Sequence, residues 1–535
     1  MIRLAILITV IWAGFIGLPA TRGQSVTSIY TFNANAIDGA NPKALLVLGP
    51  DGNFYGTTAN GGSLGYGTIF KVATNGGFAT LVSFNNANGS DPESELTLGT
   101  DGNFYGTTFT GGGFGDGTIF RITNSAVATL MNFSGINGAN PRGSLIQGAD
   151  GLFYGTTYNG GSLGDGTVFA MTTNGTLATR INFNGTSGRN PAAGLTAGPN
   201  NTLFGTTLNG GSFGDGIVFL VTTNGALLQQ ANFSGFNGSA PAARVTPGPN
   251  GIYYGTTTNG GSLGYGSVFA VKTNGALATI ASFTGIDGAI PVGSLVLGPD
   301  GNFYGTTVGG GTLGYGTVFR MPTNGPITTL VNFNSSISGA NPEAGLTLAP
   351  DGNLYGTTAN GGIGGNGTIF RLVLPPDFVI GPTNQTVAVG GDAIFNSQAF
   401  GTAPFSYRWL FNKVTVTGAT NATLQISPAV TNAVGDYQVV LTNLYGSITS
   451  QVATLSVSLQ PNAYGATNSG GGKITVLFGS YPNSTNQVLA TTNLALPIGQ
   501  WKVISTNIAD SSGLVPYLDT NTAGVPVKFY RLKYP

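Results

Sequence analysis

Cysteine and histidine are both missing from the 535 residues. Their absence excludes structural zinc sites, Ser-His-Asp and Cys-His catalysis, haem held by histidine, and most copper sites. It also excludes disulfides, so the hydrophobic cores must hold the fold by themselves. Charge is nearly as scarce. Asp, Glu, Lys and Arg together make up 7% of the chain and balance to zero, against roughly 25% in an average globular protein. No basic run or stripe is present, which argues against nucleic acid as a partner. What the chain has in excess is glycine, 89 residues, alongside 41% hydrophobic residues. Glycine at fixed places in a hydrophobic chain is repeat punctuation and not the composition of disorder. The length suits three or four domains.

Long apolar runs are also absent, with one exception at the start. Residues 4–18 form a 15-residue apolar run behind Arg3, and small residues follow at Ala20, Thr21 and Gly23. That order is the pattern of a signal peptide over residues 1–23. The run is shorter than the ~20 residues a spanning helix needs, and no later run reaches its length. The expectation is an exported protein, extracellular or associated with the cell surface, with no membrane span after signal removal.

The strongest positive feature is a repeat. The segment Asp51-Gly-Asn-Phe-Tyr-Gly-Thr-Thr58 recurs with its tyrosine at Tyr55, Tyr105, Tyr154, Tyr254, Tyr304 and Tyr355, and with Phe204 in the fourth copy. The spacings are 50, 49, 50, 50, 50 and 51 residues. A period near 50 built from strand-type segments marks a radial β array. The first copy parses into strands over 44–48, 53–58, 68–73 and 79–84. A Pro-Asp-Gly turn joins the first two, a Gly-rich loop over 59–67 the next two, and Asn75-Gly76 the last hairpin. The seventh copy stops after its third strand, while an orphan fourth strand, 28–32, precedes the first copy. The N-terminal strand is therefore expected to complete the last blade and close the array, removing an open edge. The tight turns then share one rim. The Gly-rich loops and the connections between blades share the other, where function is expected.

The Asp-Gly-Asn-Phe-Tyr-Gly-Thr-Thr segment, Gly61-Gly62, Gly67-Thr-Ile-Phe70 and the Gly39 to Pro42 approach resemble the GloVer tandem repeat of secreted bacterial proteins. The resemblance spans about residues 26–373. A more distant likeness to kelch repeats rests on the Gly-Gly pair and the period. The kelch tryptophan is missing, and without His and Cys the copper chemistry known on such rings is excluded.

A second composition begins after Leu374. Residues 378–457 resemble an immunoglobulin-like domain, with Tyr407-Arg-Trp409 supplying the buried tryptophan and Gly435-Asp-Tyr437 a tyrosine corner. The usual cysteine positions fall at about Ser397 and at Val439. Residues 461–535 form a terminal β-sandwich-like module, with Trp501 and residues 529–532 as its expected core and closing strand.

Two sets of loop residues are candidate sites. The position before Gly-Thr-Ile-Phe reads Tyr66, Asp116, Asp165, Asp215, Tyr265, Tyr315 and Asn366. Such aspartates can bind sugar hydroxyls beside tyrosine faces or hold a cation, or merely bond within their loops. No metal or cofactor is assigned. The position after the inter-blade proline reads Lys43, Glu93, Arg142, Ala192, Ala242, Val292 and Glu343. Its charged members Lys43, Glu93, Arg142 and Glu343 occupy consecutive blades, a break in symmetry that marks either a docking rim or a solvated rim with chance ion pairs. The Thr-Thr pairs and the Tyr55-type residues recur too uniformly for anything but structure.

The sequence thus predicts an all-β protein: a seven-bladed β-propeller over 26–374, an immunoglobulin-like β-sandwich and a small terminal β module. The expected function is non-catalytic binding or scaffolding, with extracellular polysaccharide or another surface protein as partner. The alternative is a propeller hydrolase or lyase acting on glycans, for which Glu93, Glu95 and Glu343 are the carboxylates to consider.

Overall fold

The computed structural model describes residues 25–533, apart from 34, 124, 125, 459–462, 481, 482, 523, 525 and 526. The expected signal peptide lies outside the described residues. The chain is all-β and consists of many small antiparallel sheets, interrupted only by three single-turn 3-10 helices among the described residues.

Each repeat folds into one four-stranded antiparallel sheet, seven sheets in all. The strand β1 (Ser25–Thr31) pairs with Thr368–Val373 and supplies the outer strand of the seventh sheet. In the first unit the strands run β2 (Val47–Leu48), β3 (Phe54–Thr58), β4 (Thr68–Val72) and β5 (Phe78–Ser83), paired in that order. The sequence suggests five residues for β2, but only two pair in the ladder. The reason is that the preceding carbonyls turn sideways to a neighbouring sheet. Leu46 O accepts the Thr347 hydroxyl at 2.5 Å and Ala44 O accepts the Thr357 hydroxyl at 3.3 Å.

Those two bonds belong to a pattern that explains the Thr-Thr pairs. The second threonine stays within its sheet, as Thr58 Oγ1 with Thr68 Oγ1 at 2.7 Å. The first reaches the next sheet: Thr57 donates to Ser94 O at 3.2 Å, Thr156 to Ala193 O at 2.9 Å and Thr206 to Ala243 O at 3.1 Å. Thr357 makes the same bond from the seventh sheet back to the first. Ring contacts repeat in the same way. Tyr55 meets Phe104 at 4.4 Å and Tyr105 meets Phe153 at 4.2 Å, while Tyr355 meets Phe54 of the first unit at 4.5 Å. Each of these aromatics is apolar over its face, and five of the tyrosines satisfy the hydroxyl on the aspartate of their own Asp-Gly turn, as Tyr105 on Asp101 at 2.8 Å. In the fourth unit, where Asn200 replaces that aspartate, phenylalanine replaces the tyrosine at Phe204.

Residues 377–458 form a separate set of strands packed on the seventh sheet. Gln385–Ala388, Ala453–Ser458, Gly435–Asn443 and Ser406–Phe411 lie side by side in one sheet, and Ala393–Asn396 pairs with Thr423–Ile426 in another. Trp409, Phe395, Tyr437 and Val439 fill the space between them. The position expected near Ser397 lies beyond that core. Its hydroxyl bonds Ala422 O just past the end of the strand Ala393–Asn396, and Phe395, two residues earlier and within the strand, takes the central place. The seam with the seventh sheet is polar and tight: Thr402 Oγ1 donates to Asn353 Oδ1 at 2.6 Å, and Leu374 N donates to Thr402 Oγ1 at 2.8 Å.

Residues 463–533 make two three-stranded sheets around Val476, Phe478, Val488, Val515 and Leu532. Trp501, expected in this core, is not among its residues. It follows a 3-10 turn over Ile498–Gln500, and its indole N–H donates to Leu496 O at 3.0 Å near the surface. A tryptophan N–H needs an acceptor, and the turn carbonyl supplies one there.

Candidate functional site

The connection between units decides where the residue after the proline points. In the first unit Gly39 takes φ +119°, and any Cβ there would lie 2.4 Å from the Thr58 hydroxyl, so only glycine allows the close approach. Ala40 and Asn60 then exchange backbone hydrogen bonds at 2.8 and 3.0 Å. Asn41 N donates to Asn366 O of the seventh unit, and its amide donates to Ala359 O at 2.8 Å. The chain is thereby stapled between two units before Pro42 turns it. The following residue, Lys43, faces a cavity, and so do its six counterparts. Lys43, Glu93, Arg142, Ala192, Ala242, Val292 and Glu343 all line one pocket of about 470 Å³. Residues expected along a rim are therefore gathered around a shared space.

The pocket has two unlike walls. On one, Glu93 accepts from Lys43 at 2.5 Å with one oxygen and from Arg142 at 2.9 Å with the other. Glu343 lines the same wall and makes neither a hydrogen bond nor an ion pair among the described residues. Asp91 stands beside it, with Oδ1 buried and unpartnered. Burial, and next the charge of Glu93, push the Asp91 carboxyl up to about 6 against the pull of Lys43 and Arg142. Burial likewise raises Glu343, with Lys43 opposing and Glu93 adding to the shift. For Lys43 burial acts downward, but the hydrogen bond and charge of Glu93 outweigh it and the ammonium is held more firmly. The opposite wall is mostly apolar: Leu208, Ala240, Ile290 and Val308 join Ala192, Ala242 and Val292, with Thr258 and Asn259 as its polar members.

Glu95 does not turn toward this wall. It binds Arg244, three repeats further along, at 2.6 Å, and both residues line a second cavity of about 650 Å³ with Thr97, Gln147, Leu48 and Leu348. Sequence reasoning placed Glu95 with Glu93 as paired carboxylates and gave Arg244 no role. The pairing of distant units could not be read from spacing alone.

The other candidate set is not gathered. Each member of the Tyr66 series uses its backbone carbonyl to hold the next connection, as Tyr66 O from Asp91 N at 3.1 Å and Asp116 O from Asn140 N at 2.7 Å. The side chains serve their own neighbourhood. Asp215 accepts from Ser239 Oγ at 2.8 Å, Asp165 lies 3.8 Å from Arg189, and Asn366 donates to Asn33 O at 2.6 Å. Tyr66, Tyr265 and Tyr315 are partly exposed. Among the described residues no group of three or more acidic, His or Cys side chains is placed to hold a metal ion, and no helix is long and apolar enough to cross a membrane.

One surface feature went unread in the sequence. Leu64, Phe114, Leu163, Phe213, Leu263 and Leu313 occupy the same place at the tip of the Gly-rich loop, and Ile363 stands one residue earlier in the seventh. Ile37, Ile136, Phe236, Ile286 and Ile337 occupy one place in the connections. All twelve are between 51% and 94% exposed. The signal was available: a large apolar residue flanked by glycine and serine in a loop, at fixed register, packs against nothing local.

The family model described as the Gloeobacter/Verrucomicrobia repeat matches residues 18–219, 149–370 and 197–421. No curated protein matches the chain. Among solved structures, the tandem Ig repeats of Dlar are similar at 19% identity over 18% of this chain and 72% of that one, with a TM-score of 0.15. Titin M4 is similar at 25% identity over 16% of this chain and 98% of its own, TM-score 0.15. The twitchin kinase region from C. elegans is similar at 20% identity over 17% and 18%, TM-score 0.15. Such short and low-scoring overlaps carry nothing about the whole fold, whereas the repeat model covers most of the sequence: the chain belongs to the Gloeobacter/Verrucomicrobia repeat family.

Proposed function

We propose that this is an exported binding protein in which a closed seven-bladed propeller, followed by an immunoglobulin-like sandwich and a terminal β module, holds another protein at or beyond the cell surface. Closure is supported by the Thr357 to Ala44 bond, which repeats between the seventh and first units a hydroxyl-to-carbonyl bond found between neighbouring units, and by the Tyr355–Phe54 contact, which four other pairs of neighbours also make. The immunoglobulin-like assignment draws on Trp409 in the core and on the Tyr437 hydroxyl donating to Ala433 O, four residues upstream, at 2.9 Å. Export rests on the pattern of residues 1–23.

The observation that carries the binding reading is the set of twelve exposed apolar tips on the loop side. Single exposed apolar residues need no explanation, but a repeated set on one face does. Together they amount to on the order of 1,000 Å², about what one partner contributes to a standard protein interface. Nine of the twelve are Leu or Ile. Aliphatic tips offer a hydroxyl-rich polysaccharide neither hydrogen bonds nor ring faces, so a protein surface suits them better. The test is saturable binding of the purified protein to the cells that export it. Replacing the six Leu64-type tips by Ser should abolish binding without lowering the melting temperature. Protease treatment of the cells should abolish it as well, and periodate treatment should not. Sensitivity to periodate alone would assign the polysaccharide, and unchanged binding by the tip variant would end the reading.

A second reading, cleavage of a glycan in the pocket, draws on Glu93 and Glu343 sharing one wall with Asp91 beside them. Against it, both oxygens of Glu93 are already engaged by cations. A positioned acid or base contributes ~100- to 10,000-fold, so any glycan-cleaving activity that falls by such a factor in Glu343→Gln would favour the enzyme.

A further inference from the structure

We infer that the two-walled pocket is a binding site for a small ligand with a cationic, hydrogen-bond-donating head on an apolar body, an alkyl- or arylammonium in chemical class. The size is suitable, since about 470 Å³ lies within the ~300–1,000 Å³ of small-molecule sites. The sign of the head group follows from which charges remain free. Lys43 and Arg142 both spend their charge on Glu93, and Glu93 has both oxygens occupied. Glu343 lines the cavity without a partner, and Asp91 adds a second negative charge close behind. With Asp91 ionised the wall carries one negative charge in excess. An anionic head reaching the remaining donors of Lys43 and Arg142 would lie against Glu93 and Glu343, whereas a cation meets an unpartnered carboxylate directly. A charge-assisted bond to a partly buried carboxylate is among the stronger single contacts available.

The body of the ligand follows from the facing wall. Ala192, Leu208, Ala242, Ile290, Val292 and Val308 present no donor or acceptor side chain; the polar members of that side are Thr258, whose hydroxyl is spent on Ala240 O at 3.0 Å, and Asn259. At the position of Asp91 the units opposite carry Ala240 and Ile290, so the same site in the repeat is acidic on one side and apolar on the other. Near-identical repeats give this contrast no structural purpose, because the backbone staple is the same on both sides: Asp91 N donates to Tyr66 O and Ile290 N to Tyr265 O, each at 3.1 Å. The inference concerns the pocket alone and does not depend on the loop tips.

The test is calorimetric titration of the full chain with three probes that share one body: cyclohexylmethylamine, cyclohexylmethanol and cyclohexanecarboxylate. The amine should bind at least tenfold more tightly than the other two. Glu343→Gln should weaken the amine tenfold or more, Asp91→Asn should weaken it less, and Ala242→Trp should abolish it by filling the apolar side. Melting curves establish that each variant is folded. Equal or tighter binding of the alcohol or the carboxylate would overturn the inference. So would no detectable amine binding, or amine binding indifferent to Glu343→Gln. The serine-tip variant should bind the amine normally, so loss of the protein partner and loss of the amine are separate results.

Discussion

Replacing Asp91 by Asn should make the protein more stable, and the gain should depend on pH. Four units carry asparagine at this position, and its amide works there. Asn41 donates to Ala359 O at 2.8 Å and to Asn360 Oδ1 at 3.1 Å; Asn140 donates to Phe109 O at 2.9 Å, and Asn341 to Val308 O at 2.9 Å. The matching acceptors beside Asp91 are Ala59 O and Asn60 Oδ1, which a carboxylate cannot serve. The introduced amide should gain one such bond, about 1 kcal/mol. The second contribution is electrostatic. The carboxyl is raised from 3.8 to about 6, chiefly by burial. A raised acid favours the folded state fully only below its unfolded pKa near 4, and that advantage is lost as pH rises through about 6. Two units correspond to roughly 3 kcal/mol, which partial exposure reduces to about 1–2 kcal/mol. Asp91→Asn should therefore add about 2–3 kcal/mol at pH 8, an upward shift of roughly 3–5 °C in melting. At pH 4 most of the charge contribution has gone, and about 1 kcal/mol should remain. The groups that set this titration are Glu93 and Glu343, which raise it, and Lys43 and Arg142, which lower it. Scanning calorimetry of both proteins at the two pH values decides the matter. A variant that melts lower at pH 8, or gains equally at both, would refute the account.

Four further predictions concern the frame around the pocket. Phe32, fully buried against the first unit just after β1, should cost ~3–5 kcal/mol when changed to Ala, and deletion of residues 24–33 should expose the edge of Thr368–Val373 and give aggregates by size-exclusion chromatography. Thr357→Val should cost ~1–3 kcal/mol in urea denaturation by orphaning Ala44 O, matching Thr57→Val; a much smaller loss at Thr357 would mean that the seventh and first units do not hold each other. Arg244→Ala should leave Glu95 charged and unpaired and lower stability by ~3 kcal/mol, most of which the additional change Glu95→Gln should restore; a double variant no better than the single one would remove the ion pair as the cause.

Much of the frame was legible because each repeat carries its own instructions. Asp51-Gly52 and Asn75-Gly76 mark turns wherever they stand, and the Phe-Tyr-Gly-Thr-Thr run is a strand in every copy. What could not be read is anything decided between units. The two-residue length of β2 depends on hydroxyls from Thr347 and Thr357, some 300 positions away in the chain. The pairing of Glu95 with Arg244 has the same origin. Period also says nothing about which way a residue faces once the connection has been stapled, so the gathering of the Lys43 series around one pocket is not legible in the spacing. Trp501 was misplaced for a more general reason: tryptophan is large enough to anchor a core, but its N–H settles wherever a free carbonyl is near.

The distribution of differences among the seven units bears on where function can reside. The Thr57 and Thr58 positions are invariant, and they hold the sheets to one another and internally. The tips of the Gly-rich loops vary only among Leu, Phe and Ile, so they present one chemistry, whereas the Ile37 position carries Ala87 and Thr186 in two units. At Lys43 and its counterparts the variation is of another kind: cation, anion, cation, then small apolar residues, then anion. Selection for the frame alone would leave such a position uniform or random in polarity. Here the acids and cations are contiguous, Lys43, Glu93 and Arg142 are bonded to one another while Glu343 is not, and the apolar members face them across one cavity. Asp91 sharpens the point, because asparagine at its place in other units makes a bond that Asp91 forgoes. A partly buried acid kept at a cost to stability is the usual mark of a group retained for binding. On the readings proposed above, the outer tips and the inner pocket differ in construction, one made by repetition and one by departure from it.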